Sequence, residues 1–197
     1  ADKYYTPFLS VTADYTFRDR ELRELMPLET GYTIVPQLLS KNAEDTLRGA
    51  EELFAMGFEE VNLNIGCPSG TVVAKGKGSG MMRSPDHLDA FLEEVYRRAE
   101  GKVTVKTRLG LNDPEEFHRI LEIFSRYPIP LLIIHPRVRM AYYKHPIRME
   151  YFDQAMQDYK GELCYNGGLV TADGVAAFLE SHPAVDKVMI GMGLLAN

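Results

Sequence analysis

Seven short apolar runs, at about 4–9, 32–38, 60–64, 102–107, 131–135, 162–166 and 186–191, predict β-strands. Segments of helical period lie between them. Ser84-Pro85-Asp86 is a helix start, with a capping hydroxyl, a proline at the first helical position and an acid in the first turn, and Leu88, Phe91, Leu92 and Val95 then share one face. Asp113-Pro114-Glu115 repeats that signal ahead of a Phe117, Ile120, Leu121, Phe124 stripe. Asn42 is the expected cap of a helix carrying Leu47, Ala50, Leu53 and Phe54, and Thr171 of one carrying Val175, Phe178 and Leu179. Strands that alternate with helices imply a parallel sheet covered by those helices, closed as a barrel or open and doubly wound.

The polar residues decide between the two. Successive apolar runs end in Gln37, Asn64, Lys106, His135 and Asn166, and the last ends at Gly191. A doubly wound sheet gathers its site at one switch point, whereas a (β/α)8 barrel draws one or two residues from the end of nearly every strand. The expected fold is therefore an α/β protein of the (β/α)8 TIM type. A whole barrel needs eight strands and about 250 residues. With seven predicted strands in 197 residues, the barrel is expected to be incomplete.

Composition narrows the class. A chain with 45% hydrophobic and 25% charged residues is ordinary for a globular domain. The longest strongly apolar run, from Pro128 to Ile134, is far shorter than the roughly 20 residues that cross a bilayer. The segment Ala1-Asp-Lys-Tyr-Tyr5 lacks the regions of a signal peptide, so a cytoplasmic location is expected. A net charge of −6 weighs against a general nucleic-acid binder without excluding a local basic patch. Cys67 and Cys164 have no CxxC or His-rich company, which predicts two reduced thiols and no metal site.

The densest chemistry lies in Val61-Asn-Leu-Asn-Ile-Gly-Cys-Pro68 and the glycine-rich Ala74-Lys-Gly-Lys-Gly-Ser-Gly-Met-Met82 that follows. A polar Asn64 stands at the tip of a buried strand, and a lone thiol comes just after it on a loop able to close over a ligand. That is the layout of an active site, although a cysteine read alone is more often an inert thiol in a turn. Asn166-Gly167-Gly168 and Gly191-Met192-Gly193 follow the last two strands, where barrels of this type hold phosphate groups on backbone N–H donors. A lone Gly-Gly is usually only a turn. Cys164, inside a strand, reads as a small core residue.

Together these segments resemble the tRNA-dihydrouridine synthases, flavin enzymes with a (β/α)8 barrel followed by a small helical RNA-binding domain. The resemblance rests on Val35-Pro-Gln-Leu-Leu39, Val61 to Met82, Val103-Thr-Val-Lys-Thr-Arg-Leu-Gly110, Ile134-His-Pro-Arg137, Tyr165-Asn-Gly-Gly168 and Val188-Met-Ile-Gly-Met-Gly193, which occur in the family's order. The cysteine segment is the specific one. No counterpart is evident for the family's first strand with its Ala-Pro-Met type motif, for the last barrel helix or for the helical domain. His135-Pro136-Arg137 stands where many members have His-Gly-Arg.

The resemblance implies reduction of uridine to 5,6-dihydrouridine in tRNA, with FMN as the hydride carrier and NADPH as the electron donor, by an enzyme expected as a monomer. Cys67 matches the proton donor. Lys106 matches the residue beside the flavin edge that gathers negative charge, and Gln37, Asn64 and His135 match others around the ring. Asn166, Gly167, Gly168, Gly191 and Met192 match the phosphate end. Arg108, Arg137 and Arg139, with Lys75 and Lys77 on the cysteine loop, are candidates for RNA phosphates around a flipped uridine; solvated surface charge is the alternative for the two lysines. Tyr142-Tyr-Lys-His145 resembles the family's aromatic loop. Two competing readings stand beside this one: an FMN barrel acting on a free pyrimidine, and a non-catalytic barrel fragment.

Overall fold

Seven strands form one all-parallel sheet in chain order in the computed structural model, which describes residues 3–13, 17–25 and 31–191. The elements run β1 (Lys3–Ser10), α1 (Asp19–Leu25), β2 (Thr33–Leu39), α2 (Ala43–Ala55), β3 (Glu60–Ile65), α3 (Gly70–Ala74), α4 (Pro85–Arg98), β4 (Lys102–Arg108), α5 (Glu116–Phe124), β5 (Leu132–His135), α6 (Met149–Asp158), β6 (Leu163–Asn166), α7 (Ala172–Ser181) and β7 (Val188–Met189). Sequential parallel pairing with a helix at each crossover is the topology of a (β/α) barrel. No ladder joins β7 to β1 among the described residues, so these seven strands form an open sheet consistent with part of such a barrel.

Strand alternation sorts the residues between two faces. In β3, Val61, Leu63 and Ile65 join the large core beneath the helices, together with Val103 and Val105 of β4 and Leu88, Phe91 and Leu92 of α4. The intervening residues point the other way, into the barrel. The register pairs Glu60 with Lys102, Asn62 with Thr104 and Asn64 with Lys106, so the inner face of β3 and β4 is polar along its whole length. Farther round, the inner face turns apolar, where Leu131, Ile133 and Cys164 pack with Tyr5 and Met189. Burial pushes the Cys164 thiol up to about 12 and so keeps it protonated, as fits a small core residue.

The caps read from the sequence hold the helices. Asn42, Ser84 and Thr171 each accept the N–H three residues on, from Asp45 at 3.1 Å, His87 at 3.4 Å and Gly174 at 3.1 Å. At α5 the start differs from expectation. Pro114 and Glu115 form a turn, Asp113 accepts the Glu115 N–H at 3.0 Å, and Glu116 reaches back to the N–H groups of Leu111, Asn112 and Asp113 at 2.7, 3.1 and 3.0 Å. The α7 stripe is only half-buried, because its neighbour β7 has two residues instead of the expected run over 186–191. Phe178 is nevertheless stacked between Tyr165 and His182, at centroid distances of 4.2 and 4.4 Å.

In β1 the register with β2 shifts between Tyr5 and Phe8. Pro7 has no N–H to give the ladder, and at this break the Gln37 N–H donates to the Thr6 hydroxyl oxygen, at 3.1 Å, in place of a strand carbonyl.

Candidate active site

Gln37, Asn64, Lys106, His135 and Asn166 come together at the C-terminal ends of β2 to β6, as the strand-end pattern requires. The Asn64 side-chain oxygen accepts two backbone N–H groups, from Gly66 at 3.1 Å and Cys67 at 2.8 Å, which closes the turn after β3. Its amide nitrogen donates to Gln37 Oε1 at 2.6 Å. Gly66 packs so closely on β4 that a Cβ there would meet the Thr107 backbone at 3.1 Å.

Cys67 is half-buried, with a free thiol. The rest of its loop is ordered rather than open: α3 and a 3-10 turn over Gly78–Arg83 fold it back on itself, and the Ser79 N–H donates to the Cys67 carbonyl at 3.1 Å. Gly78 makes this return possible. Its φ of +56° suits glycine, and a Cβ would stand 2.8 Å from Cys67 Cβ.

Lys106 enters the same space from β4. Its ammonium has no hydrogen bond or ion pair among the described residues, although the side chain is only half-exposed. Burial first, and then the Arg108 guanidinium, pushes it down to about 8, with Cys67 and Cys164 acting in the opposite direction. A carboxylate placed beside it would have reversed that shift. His135, 4% exposed, is pushed down to about 2 by burial, Arg108, Lys106 and Arg137, so it is neutral. Arg137 Nη1 stands 3.0 Å from His135 Nε2. A guanidinium can only donate, so Nε2 accepts and the ring proton sits on Nδ1.

The arginines are engaged with neighbouring loops. Arg108 is 1% exposed, and its Nη1 donates to the carbonyls of Val138 at 3.2 Å and Tyr142 at 2.9 Å, with the Tyr143 ring 5.2 Å from the guanidinium. It pins the aromatic loop between β5 and α6. Within that loop Tyr142 has a φ of 46°, a strained value for a residue with a Cβ. Arg139 ties the same loop to the cysteine segment through the Pro68 carbonyl at 3.2 Å, and Arg137 Nε donates to the His145 carbonyl at 2.6 Å.

Of the loop lysines, Lys75 is exposed, whereas Lys77 donates to Ser10 Oγ at 3.1 Å and to the Val11 carbonyl at 3.2 Å. Its ammonium fastens the cysteine loop to the end of β1, and burial lowers its pKa. At the other side of the mouth, the Asn166 amide donates to the Met189 carbonyl at 2.9 Å and joins β6 to β7. Gly168 takes a φ of +67°, and Gly167 lies against His135, Tyr165 and Ile147. Gly191 is exposed at the end of β7, and Met192 lies outside the described residues.

Three residues of this network were not singled out from the sequence. Asn62 accepts from Gln37 Nε2 at 2.9 Å and donates to Thr104 Oγ1 at 3.0 Å, and Thr104 donates to Glu60 Oε1 at 3.1 Å. Their signal was the strict polar alternation of Glu60, Asn62 and Asn64 in a strand whose other face is apolar.

A family model described as dihydrouridine synthase matches residues 1–197. The chain belongs to the dihydrouridine synthase family. It is 30% identical over 195 residues to a "Probable tRNA-dihydrouridine synthase 1" of Synechocystis sp., a match covering 97% of this chain and 54% of that protein. A "Probable tRNA-dihydrouridine synthase" of Staphylococcus aureus is 33% identical over 152 residues, 74% of this chain and 45% of its own length. The tRNA-dihydrouridine(16) synthase of Pseudomonas putida is 28% identical over 179 residues, covering 90% and 55%. The chain spans about half the length of the curated relatives it matches. Among the described residues, no helix is long and apolar enough to cross a membrane, and no group of three His, Cys, Asp or Glu side chains is placed to hold a metal ion.

Proposed function

We propose that the intact protein reduces uridine to 5,6-dihydrouridine in tRNA, with FMN as its flavin, NADPH as reductant and a cytoplasmic location. The observation that carries this reading is Lys106, a partly buried ammonium without a carboxylate partner among the described residues, sharing one strand-end space with a free thiol and a neutral histidine. The residues present fit a flavin. An unpaired cation suits the ring edge where negative charge collects on reduction, and the second N–H of the Gln37 and Asn64 amides and the Nδ1–H of His135 suit its carbonyl and nitrogen acceptors.

When bound, FMN supplies the hydride for one carbon of the uracil C5–C6 double bond. Cys67 holds the proton for the other carbon, and Asn64 fixes the backbone that carries it. Lys106 stabilises developing negative charge. Arg108 and Arg139 hold the aromatic loop against the mouth and so limit water there. Asn166, Gly167, Gly168 and Gly191 form the side assigned to the flavin phosphate. Lys75 is the loop lysine left free for an RNA phosphate, while Lys77, Arg108 and Arg137 act first on neighbouring loops. On this reading Thr6-Pro7-Phe8, at the bulge of β1 beside Gln37, takes the place of the Ala-Pro-Met type motif.

The test is incubation of the intact protein with FMN, NADPH and an unmodified tRNA transcript, followed by mass spectrometry of the nucleosides. Dihydrouridine in the digest is the expected result. Reduction of free uracil or orotate, with none in tRNA, would overturn the reading in favour of a free-pyrimidine oxidoreductase.

A further inference from the structure

The hydrogen bonds inside the sheet form one continuous chain with a single direction. At its top, the Gly66 and Cys67 N–H groups donate to Asn64 Oδ1, and a backbone N–H can only donate, so the Asn64 amide has one allowed orientation. Asn64 Nδ2 then donates to Gln37 Oε1, which turns Gln37 Nε2 toward Asn62 Oδ1. Asn62 Nδ2 in turn donates to Thr104 Oγ1, and the Thr104 hydroxyl donates to Glu60 Oε1. At the bottom, Glu60 Oε2 is paired with the ammonium groups of Lys3 and Lys102, the latter at 3.3 Å, so the carboxylate offers only acceptors to the chain. Both ends demand the same direction, and every amide between them satisfies it.

Asn62 and Thr104 are both 0% exposed and Glu60 is 3% exposed, so none of the three can touch a ligand at the barrel mouth. A polar chain through a sheet interior is costly unless complete, and a complete one is polarised along its length. We propose that Glu60, Thr104 and Asn62 are positioning residues: they hold the amide direction of Gln37, whose oxygen braces the Asn64 amide already oriented by the Gly66 and Cys67 N–H groups, and so secure the seat of the Cys67 backbone. Reversal of the Gln37 amide would bring its NH2 against the NH2 of Asn64 and release the turn that holds Cys67. The value of this arrangement for catalysis rests on the reading of Cys67 as proton donor.

The chain is tested by amide hydrogen exchange on the protein itself, read at Gly66 and Cys67 and, as a control for global opening, at Leu121 and Ile123 in α5. Thr104→Val keeps the shape of the residue but removes the hydroxyl that Asn62 and Glu60 both need. It is expected to speed exchange at Gly66 and Cys67 about tenfold with α5 unchanged, because only the local turn opens. Thr104→Ser restores the hydroxyl and Glu60→Gln keeps an acceptor; both are expected to stay within about twofold of the parent at Gly66 and Cys67. Unchanged exchange at Cys67 in Thr104→Val, or acceleration in step with α5, overturns the proposal. A parent protein that shows the expected exchange pattern but makes no dihydrouridine supports the positioning role and counts only against the uridine-reduction reading.

Discussion

Asn64 Oδ1 lies 2.8 Å from the backbone nitrogen of Cys67, so the amide that ends β3 also seats the thiol-bearing residue. The strand end and the Cys67 loop are thereby tied together. Its other fixed points are Gly66 against the β4 backbone and Gly78 folded against Cys67 Cβ.

Gly78→Ala would put a methyl group 2.8 Å from Cys67 Cβ in a backbone with a φ of +56°. The variant should be destabilised by about 1–3 kcal/mol and should change the rate at which Cys67 is alkylated. Thermal melting together with iodoacetamide kinetics checks both effects.

Lys106→Met should stabilise the ligand-free chain at pH 7. The ammonium loses water without gaining a partner among the described residues, and its folded pKa of about 8 lies below the unfolded value of 10.5. The unfolded chain therefore binds more protons between those values, and parent stability rises as pH goes from about 8 to 10.5. The expected gain from Lys106→Met, about 1 kcal/mol at pH 7, should shrink toward pH 10 while flavin affinity falls. Melting curves across that range and a flavin titration test the pair.

Much of the fold was legible because parallel strands buried on both sides and helices with marked stripes leave strong periodic signals. Ser84-Pro85 and Asn42 give local start signals that the tertiary structure has no reason to override. The strand-end residues were legible for a similar reason, since polar side chains that close apolar runs stand at the barrel mouth. What could not be read is which charges are spent internally. Arg108 and Lys77 look like RNA contacts in a linear chain, but the carbonyls they bind, in Val138, Tyr142 and Val11, come from segments distant in sequence. The polar chain through Asn62 and Thr104 was visible as alternation, yet its direction depends on a partner strand's register.

His135 adds an acid sensitivity. Held neutral with a folded pKa of about 2 against 6.5 in the unfolded chain, it resists a proton that the unfolded chain accepts. Its stabilising contribution is present above pH 6.5 and is lost as pH falls toward 2, with a slope near 1.4 kcal/mol per pH unit for one full proton. Urea denaturation at pH 7 and pH 5 should show a smaller loss for His135→Gln than for the parent.

Arg108→Met should free the aromatic loop without melting the sheet, because the carbonyls of Val138 and Tyr142 lose their donor. Faster proteolysis within residues 139–145, at a stability cost of about 2 kcal/mol, is the expected outcome. Limited digestion followed by mass spectrometry locates the cuts, and cutting elsewhere would count against Arg108 as the pin.

In the proposed reaction Cys67 gives a proton to a uracil carbon at a flavin held by this barrel mouth. The most direct measurement is stopped-flow spectroscopy of the intact FMN-loaded protein and its Cys67→Ala variant, following flavin reduction by NADPH and then reoxidation by tRNA without oxygen. In the variant, reduction should proceed at nearly the parent rate and reoxidation by tRNA should slow at least about a hundredfold. Equal reoxidation by tRNA in the two proteins, or loss of flavin reduction along with it, would contradict the assignment.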